Sequence, residues 1–121
     1  MANYVDFFVL PVPAKNLADY KKMARKIAKT WLKHGALEYH EAVADDAKPG
    51  KVTSFPQAVG LKKDETVVVG WALYTSRKHR DSVMAKVMAD PIMANMKPQD
   101  MPFNGMRMFW GGFKSYLDIA A

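Results

Sequence analysis

The chain has 121 residues, half of them hydrophobic and a quarter charged, which fits one globular domain around one core. No apolar run nears the roughly 20 residues of a membrane span, and the first residues lack the basic-then-apolar order of a secretory leader, so a cytoplasmic location is expected. The absence of cysteine excludes disulfides, thiolate metal sites and cysteine nucleophiles, and a formal charge of +6 favours anionic partners without choosing among them.

Tyr4-Val5-Asp6-Phe7-Phe8-Val9-Leu10-Pro11-Val12 is rich in aromatic and β-branched residues and reads as a strand, ended by Pro11 and Pro13 because proline cannot donate to a ladder. Leu17, Tyr20, Ala24, Ile27 and Trp31 recur at spacings of three and four and predict a helix over residues 16–34. Asn16 is placed to cap it, Asp19 suits its first turn, and Gly35 stops it. A second strand is expected over residues 36–44, followed by a turn at 45–51. Residues 53–59 read equally as a short strand or an irregular arm. The unbroken Val67-Val68-Val69 places a third strand at residues 65–74, one suited to burial on both faces. Ser76 caps a second helix over residues 77–89, with Val83 and Val87 on its apolar face. Asp90-Pro91 then starts a short helical turn over residues 92–96. Residues 103–119 read as a last strand, with a bulge or bend expected at Gly111-Gly112.

The order strand, helix, strand, strand, helix, strand is that of an α+β, ferredoxin-like βαββαβ domain over residues 1–121. Two amphipathic helices cover one face of its sheet. The other face should alternate apolar with polar if it met solvent, and it does not. Val5, Phe7 and Val9 share one side of the first strand, while Phe8, Leu10 and Val12 share the other. Val67, Val69, Trp71 and Leu73 do the same in the third strand. An uncovered patch of such residues exceeds the few hundred Å² usual on a monomer. A second copy related by a two-fold axis is the expected cover, giving a homodimer. The alternative is that residues 45–64 fold back over the sheet.

Several stretches then carry a resemblance. They include Pro11-Val12-Pro13, Gly35-Ala36-Leu37-Glu38-Tyr39, Thr53-Ser54-Phe55-Pro56 and Ser76-Arg77-Lys78-His79-Arg80-Asp81. Lys86-Val87-Met88-Ala89-Asp90-Pro91, Met101-Pro102-Phe103 and Gly111-Gly112-Phe113 belong to the same set. Together they resemble a bacterial family of uncharacterised proteins, the YbaA-like family. The resemblance spans nearly the whole chain and implies a dimeric α/β-barrel fold. It implies no established activity. Phe7, Met84 and Met106 stand where that family tends to carry glycine, asparagine and lysine, and Asn104 and Trp110 replace a usual aspartate and tyrosine.

Arg77-Lys78-His79-Arg80 places four basic residues in the first turn of a helix, against the helix dipole. With the free amides there, they suit a carboxylate or phosphate; pairing with Asp81, Asp45 or Asp46 is the structural alternative. His79 is the candidate catalytic acid or base. His40 and Glu38 point to one side of a strand, as a base and its orienting partner would. No third metal ligand is visible, so no metal is expected. Trp31 is a candidate pocket wall. The candidate ligand-binding set is Arg77, His79, Arg80, Trp31, His40 and Arg107. His34 needs only the helix dipole as its explanation.

The sequence therefore supports a small protein that binds an anionic or aromatic metabolite, without a cofactor. Two further readings stay open: a cofactor-independent monooxygenase- or isomerase-like enzyme, and an RNA or protein interaction module. Nucleic acid is not an expected partner, because the spaced aromatic motif of RNA-binding sheets is missing. A membrane is not expected either.

Overall fold

The structure, a computed structural model, describes residues 2–121. The two most hydrophobic strands pair at its centre. β1 (Tyr4–Pro13) and β3 (Glu65–Tyr74) run antiparallel in register from Tyr4↔Tyr74 to Pro13↔Glu65. β2 (Glu38–Val43) adds to β3 on one side and β4 (Phe109–Lys114) to β1 on the other, both antiparallel. The sheet order is β2-β3-β1-β4.

Because side chains alternate across a strand, this register sorts them into two layers. Tyr4, Asp6, Phe8, Leu10 and Val12 share one face with Val68, Ala72 and Tyr74. That face carries the core. One cluster joins Leu10, Val12, Tyr20 and Val68; another joins Tyr4, Ala36, Ala72, Tyr74, Val83 and Val87. α1 (Leu17–Lys33) and α3 (Arg77–Ala89) supply its helical side. α1 ends where expected: Gly35 takes φ +111°, and Ala36 N–H returns to the Trp31 carbonyl. α3 starts at Ser76, whose hydroxyl accepts from His79 N–H at 3.0 Å. Arg80, Val83 and Val87 are its buried residues, all on one helical face. At Gly70 the ring of Phe8 occupies the space a Cβ would need.

The structure corrects the predicted elements at several points. Asn16 makes no capping bond, because its side-chain amide donates to the Pro102 carbonyl at 3.1 Å instead. Residues 53–59 hold a short helix, α2 (Phe55–Ala58), capped by Ser54 with Pro56 in its first turn. α4 (Pro91–Ala94) starts on the expected Asp90 cap with Pro91 in its first turn, Asp90 accepting from Ile92 N–H, but ends at Ala94, short of residue 96. The last strand is much shorter than residues 103–119. A 3-10 turn at Gly105–Arg107 precedes it, capped by Asn104. Its ladder with β1 runs only from Val9↔Phe109 to Tyr4↔Lys114. No bulge interrupts that ladder: Gly111 and Gly112 sit in register opposite Phe7 and Asp6. Gly112 is needed because the Tyr4 ring lies where its Cβ would be.

Among the described residues, α1 and α3 leave the opposite face of the sheet uncovered. At one end Pro11 and Val67 pair and are buried, as are Pro56 and Val59 of the long β2–β3 connection, whose α2 lies against β3. Arg107 fastens this connection. It grips Glu65 with two nitrogens at 2.6 and 3.0 Å and donates to the carbonyls of Val59 and Gly60. The rest of the face stays open. Phe7, Phe109 and Phe113 are 46, 47 and 56 % exposed, with the Phe7 and Phe113 rings edge to face at 5.4 Å. Residues 45–64 thus cover one end of this face and leave its aromatic centre bare.

Candidate functional site

Strand alternation turns Tyr39, Glu41 and Val43 of β2 toward the helices, and Glu38, His40 and Ala42 away. Glu41 therefore faces inward below α1. Its two oxygens are held by two phenols. Tyr20 donates to Oε1 at 2.6 Å and Tyr39 donates to Oε2 at 3.2 Å. Burial pushes the Glu41 carboxyl above the usual carboxylate range, against the opposing pull of these two hydrogen bonds. Burial, then the Glu41 charge, push both phenols well above the ordinary tyrosine range, so both stay protonated donors.

This carboxyl sits in a groove of about 480 Å³ between α1 and β2. Ala24, Ala28 and Val68 form its apolar walls. Lys21 and Arg25, one helical turn apart on α1, form its basic rim. Neither makes an ion pair among the described residues, so the rim carries two free cations over a phenol-lined floor. A second groove of about 540 Å³ lies between the start of α1 and residues 95–102, with cations and carboxylates mixed along its wall.

The basic run at the start of α3 divides. Arg77 and Lys78 point to solvent, whereas Arg80 turns inward. Arg80 meets the buried Asp6 at 2.6 Å and Asp81 at 2.8 Å, and its guanidinium lies 5.1 Å from the centre of the Tyr4 ring and 5.7 Å from that of Trp110. Burial raises the Asp6 pKa, with Arg80 and the Tyr74 hydroxyl pulling the other way. Trp31 Nε1 donates to the Tyr74 hydroxyl at 2.9 Å, and His79 packs edge-on to Tyr74 at 5.9 Å. Nδ1 of His79 accepts the Thr75 N–H at 3.0 Å, which ties that nitrogen to the backbone. Trp31, His79 and Arg80 are thus brought together around Tyr74 and Asp6.

His40 lies on the other face of the sheet. It stacks on Trp71 at 5.2 Å and meets Glu38 at 2.8 Å. Arg107 is at the far end, committed to Glu65 and the connection. His34 has a partner beyond the helix dipole: its Nε2 is 2.8 Å from Asp90, whose carboxylate also meets Lys33 and caps α4. The His34 bond and the Ile92 N–H hold the Asp90 pKa down at about 2. No three His, Cys, Asp or Glu among the described residues are placed to hold a metal ion.

Sequence reasoning missed Glu41, Tyr20 and Asp6 as chemically important groups. The available signal was parity: Asp6 and Glu41 are carboxylates on the inward side of strands whose inward neighbours are aromatic or aliphatic.

These features define a small α+β protein with a four-stranded antiparallel sheet, helices on one face and a carboxyl-floored groove beneath the first helix. The chain belongs to the family described as "Protein of unknown function (DUF1428)", whose model matches residues 3–105. It is 44% identical over 115 residues to "Uncharacterized protein YbaA" of Escherichia coli strain K12, covering 95% of this chain and 97% of that protein. Proteins of the same name from Escherichia coli O157:H7 and Shigella flexneri match to the same extent. The stretch matched by the family model holds Asp6, Tyr20, Glu41 and Arg80 and ends before β4. No helix among the described residues is long and apolar enough to cross a membrane.

Proposed function

We propose that this protein binds a small ligand with an aromatic or apolar body and an anionic group, in the groove between α1 and β2. The observation that carries this reading is the pairing of a free basic rim, Lys21 and Arg25, with an apolar, phenol-lined cleft of about 480 Å³. That volume lies in the range of small-molecule sites, and such sites combine apolar walls with a few directed polar groups. The cations take the anionic group, and Ala24, Ala28 and Val68 take the ring. Titration with benzoate and with phenyl phosphate, followed by methyl NMR, tests it. Shifts should centre on Ala24, Ala28 and Val68, and the double variant Lys21→Ala/Arg25→Ala should weaken binding about tenfold or more through loss of charge-assisted hydrogen bonds. Shifts centred on α3 instead, around Arg77 and His79, would move the site there; no shifts at either place would end the reading.

The same domain is best understood as ferredoxin-like and as one half of a dimeric α/β barrel. The strand order β2-β3-β1-β4, all antiparallel, supports the first point. The open face supports the second. Phe7, Val9, Trp71, Leu73, Phe109 and Phe113 lie on it with no helix above them, a surface suited to a self-complementary, two-fold contact.

A further inference from the structure

Anion capture accounts for the rim of the groove but not for its floor. Glu41 is a half-buried carboxyl held between two neutral phenols, next to space walled by Ala24, Ala28 and Val68. Simple binding of an anion gains nothing from a carboxylate there. Lys21 and Arg25 are like charges four residues apart on one helix, an arrangement that destabilises the helix unless something negative lies between them. A substrate carboxylate at the rim relieves that repulsion and directs the carbons behind it toward Glu41. A carboxyl whose pKa is moved toward neutrality by burial is suited to exchanging a proton with carbon at ordinary pH.

We propose that Glu41 is the catalytic acid–base group of a keto–enol tautomerase acting on aromatic 2-oxo acids, an inference that rests on the α1–β2 groove being the binding site. The carboxylate of Glu41 takes a proton from C3 of the keto form. The C–H electron pair becomes the C2=C3 double bond, and the carbonyl π pair moves to oxygen. The Glu41 carboxyl then returns the same proton to that oxygen, giving the enol. One C–H bond is exchanged for one O–H bond, nothing is oxidised and no co-reactant is needed. Tyr20 and Tyr39 act as neutral donors that hold the negative charge, first on Glu41 and then on the developing enolate. Lys21 and Arg25 hold the C1 carboxylate.

Phenylpyruvate in deuterated buffer tests this with the full-length chain. The wild-type protein should exchange the C3 protons about 10²–10⁴-fold faster than buffer. Glu41→Gln keeps an acceptor oxygen for Tyr20, places an amide NH2 where Oε2 met Tyr39, and removes the group that exchanges the proton; it should reduce exchange to the buffer rate while phenylpyruvate still shifts the Ala24 and Val68 methyls. Should that variant fail to fold, Lys21→Ala/Arg25→Ala changes only exposed residues. It should raise the half-saturating phenylpyruvate concentration about tenfold or more. Methyl shifts in the wild-type protein without exchange above buffer would overturn the tautomerase and leave the binding groove standing. No shifts would remove both. Exchange that survives Glu41→Gln, or saturation that ignores the rim variant, would also overturn the proposal.

Discussion

Replacing Arg80 by methionine removes the guanidinium and retains most of the aliphatic stem. In the native protein that guanidinium lies 2.6 Å from Asp6, and both side chains are about 10 % exposed. The Asp6 carboxylate would remain in the core with the Tyr74 hydroxyl as its remaining support. Breaking a buried ion pair from one side costs about 3–5 kcal/mol, because the surviving charge is uncompensated. For a chain of this size the melting temperature should fall by about 10–20 °C. Urea unfolding followed by tryptophan fluorescence measures it directly. The sign with pH follows from Asp6. Burial already raises its pKa, and loss of Arg80 raises it further; a group of that kind stabilises most below its unfolded pKa and loses that contribution as pH rises. The Arg80→Met deficit should therefore be largest near pH 7 and shrink toward pH 4. Adding Asp6→Asn should recover about 2 kcal/mol or more, since no charge is then stranded. A single variant within about 1 kcal/mol of the wild type, or a double variant worse than the sum of the two, would refute the view that this pair is a coupled core element.

Three further outcomes follow from the same coordinates. Glu41→Gln should become more stable relative to the wild type as pH rises from about 4.5 to 8, because the raised native pKa of Glu41 makes its ionisation a cost that glutamine does not bear; stability curves at two pH values check this. Gly70→Val should destabilise by about 1–3 kcal/mol or more, since its side chain would meet the Phe8 ring, and circular dichroism melting reports it. Acid should weaken the α1–α4 junction as pH falls from about 4 toward 2, the window between the ordinary aspartate pKa and the lowered value of Asp90; Asp90→Asn should flatten the pH dependence of stability in that window.

How much of this was legible depended on the length and regularity of each signal. β1, β3, α1 and α3 carry ten or more residues of clear pattern, and the structure places them close to expectation. α2 has four residues, too few for any period to show, so only the Ser54 cap and Pro56 announce it. The expected last strand is too long because Phe103, Phe109, Trp110, Phe113 and Tyr116 scatter aromatic residues along the whole segment. What ends it is its partner: β1 offers a ladder only as far as Tyr4, so residues beyond Ser115 have no strand beside them. The Asn16 cap failed for a long-range reason, since its amide is claimed by Pro102, 86 residues away.

The site followed the same logic. His79, Arg77 and Arg80 stand out as a run, and a run is what sequence inspection detects. Glu41 stands between His40 and Ala42 on a short strand of mixed polarity, and its partner Tyr20 lies 21 residues upstream. Parity with Tyr39 and Val43 marks position 41 as inward, and the pairing of β2 with β3 shows which face that is.

The bare aromatic face of the sheet calls for a second copy of the chain, and the mass in solution shows whether one is there. Multi-angle light scattering at about 10 µM should give twice the 13.6 kDa mass of the chain. Phe7→Asp, which puts a charge at the centre of that face, should return it to the single-chain mass without unfolding it. A wild-type protein that elutes as a stable single chain would contradict the claim that a second copy covers this surface.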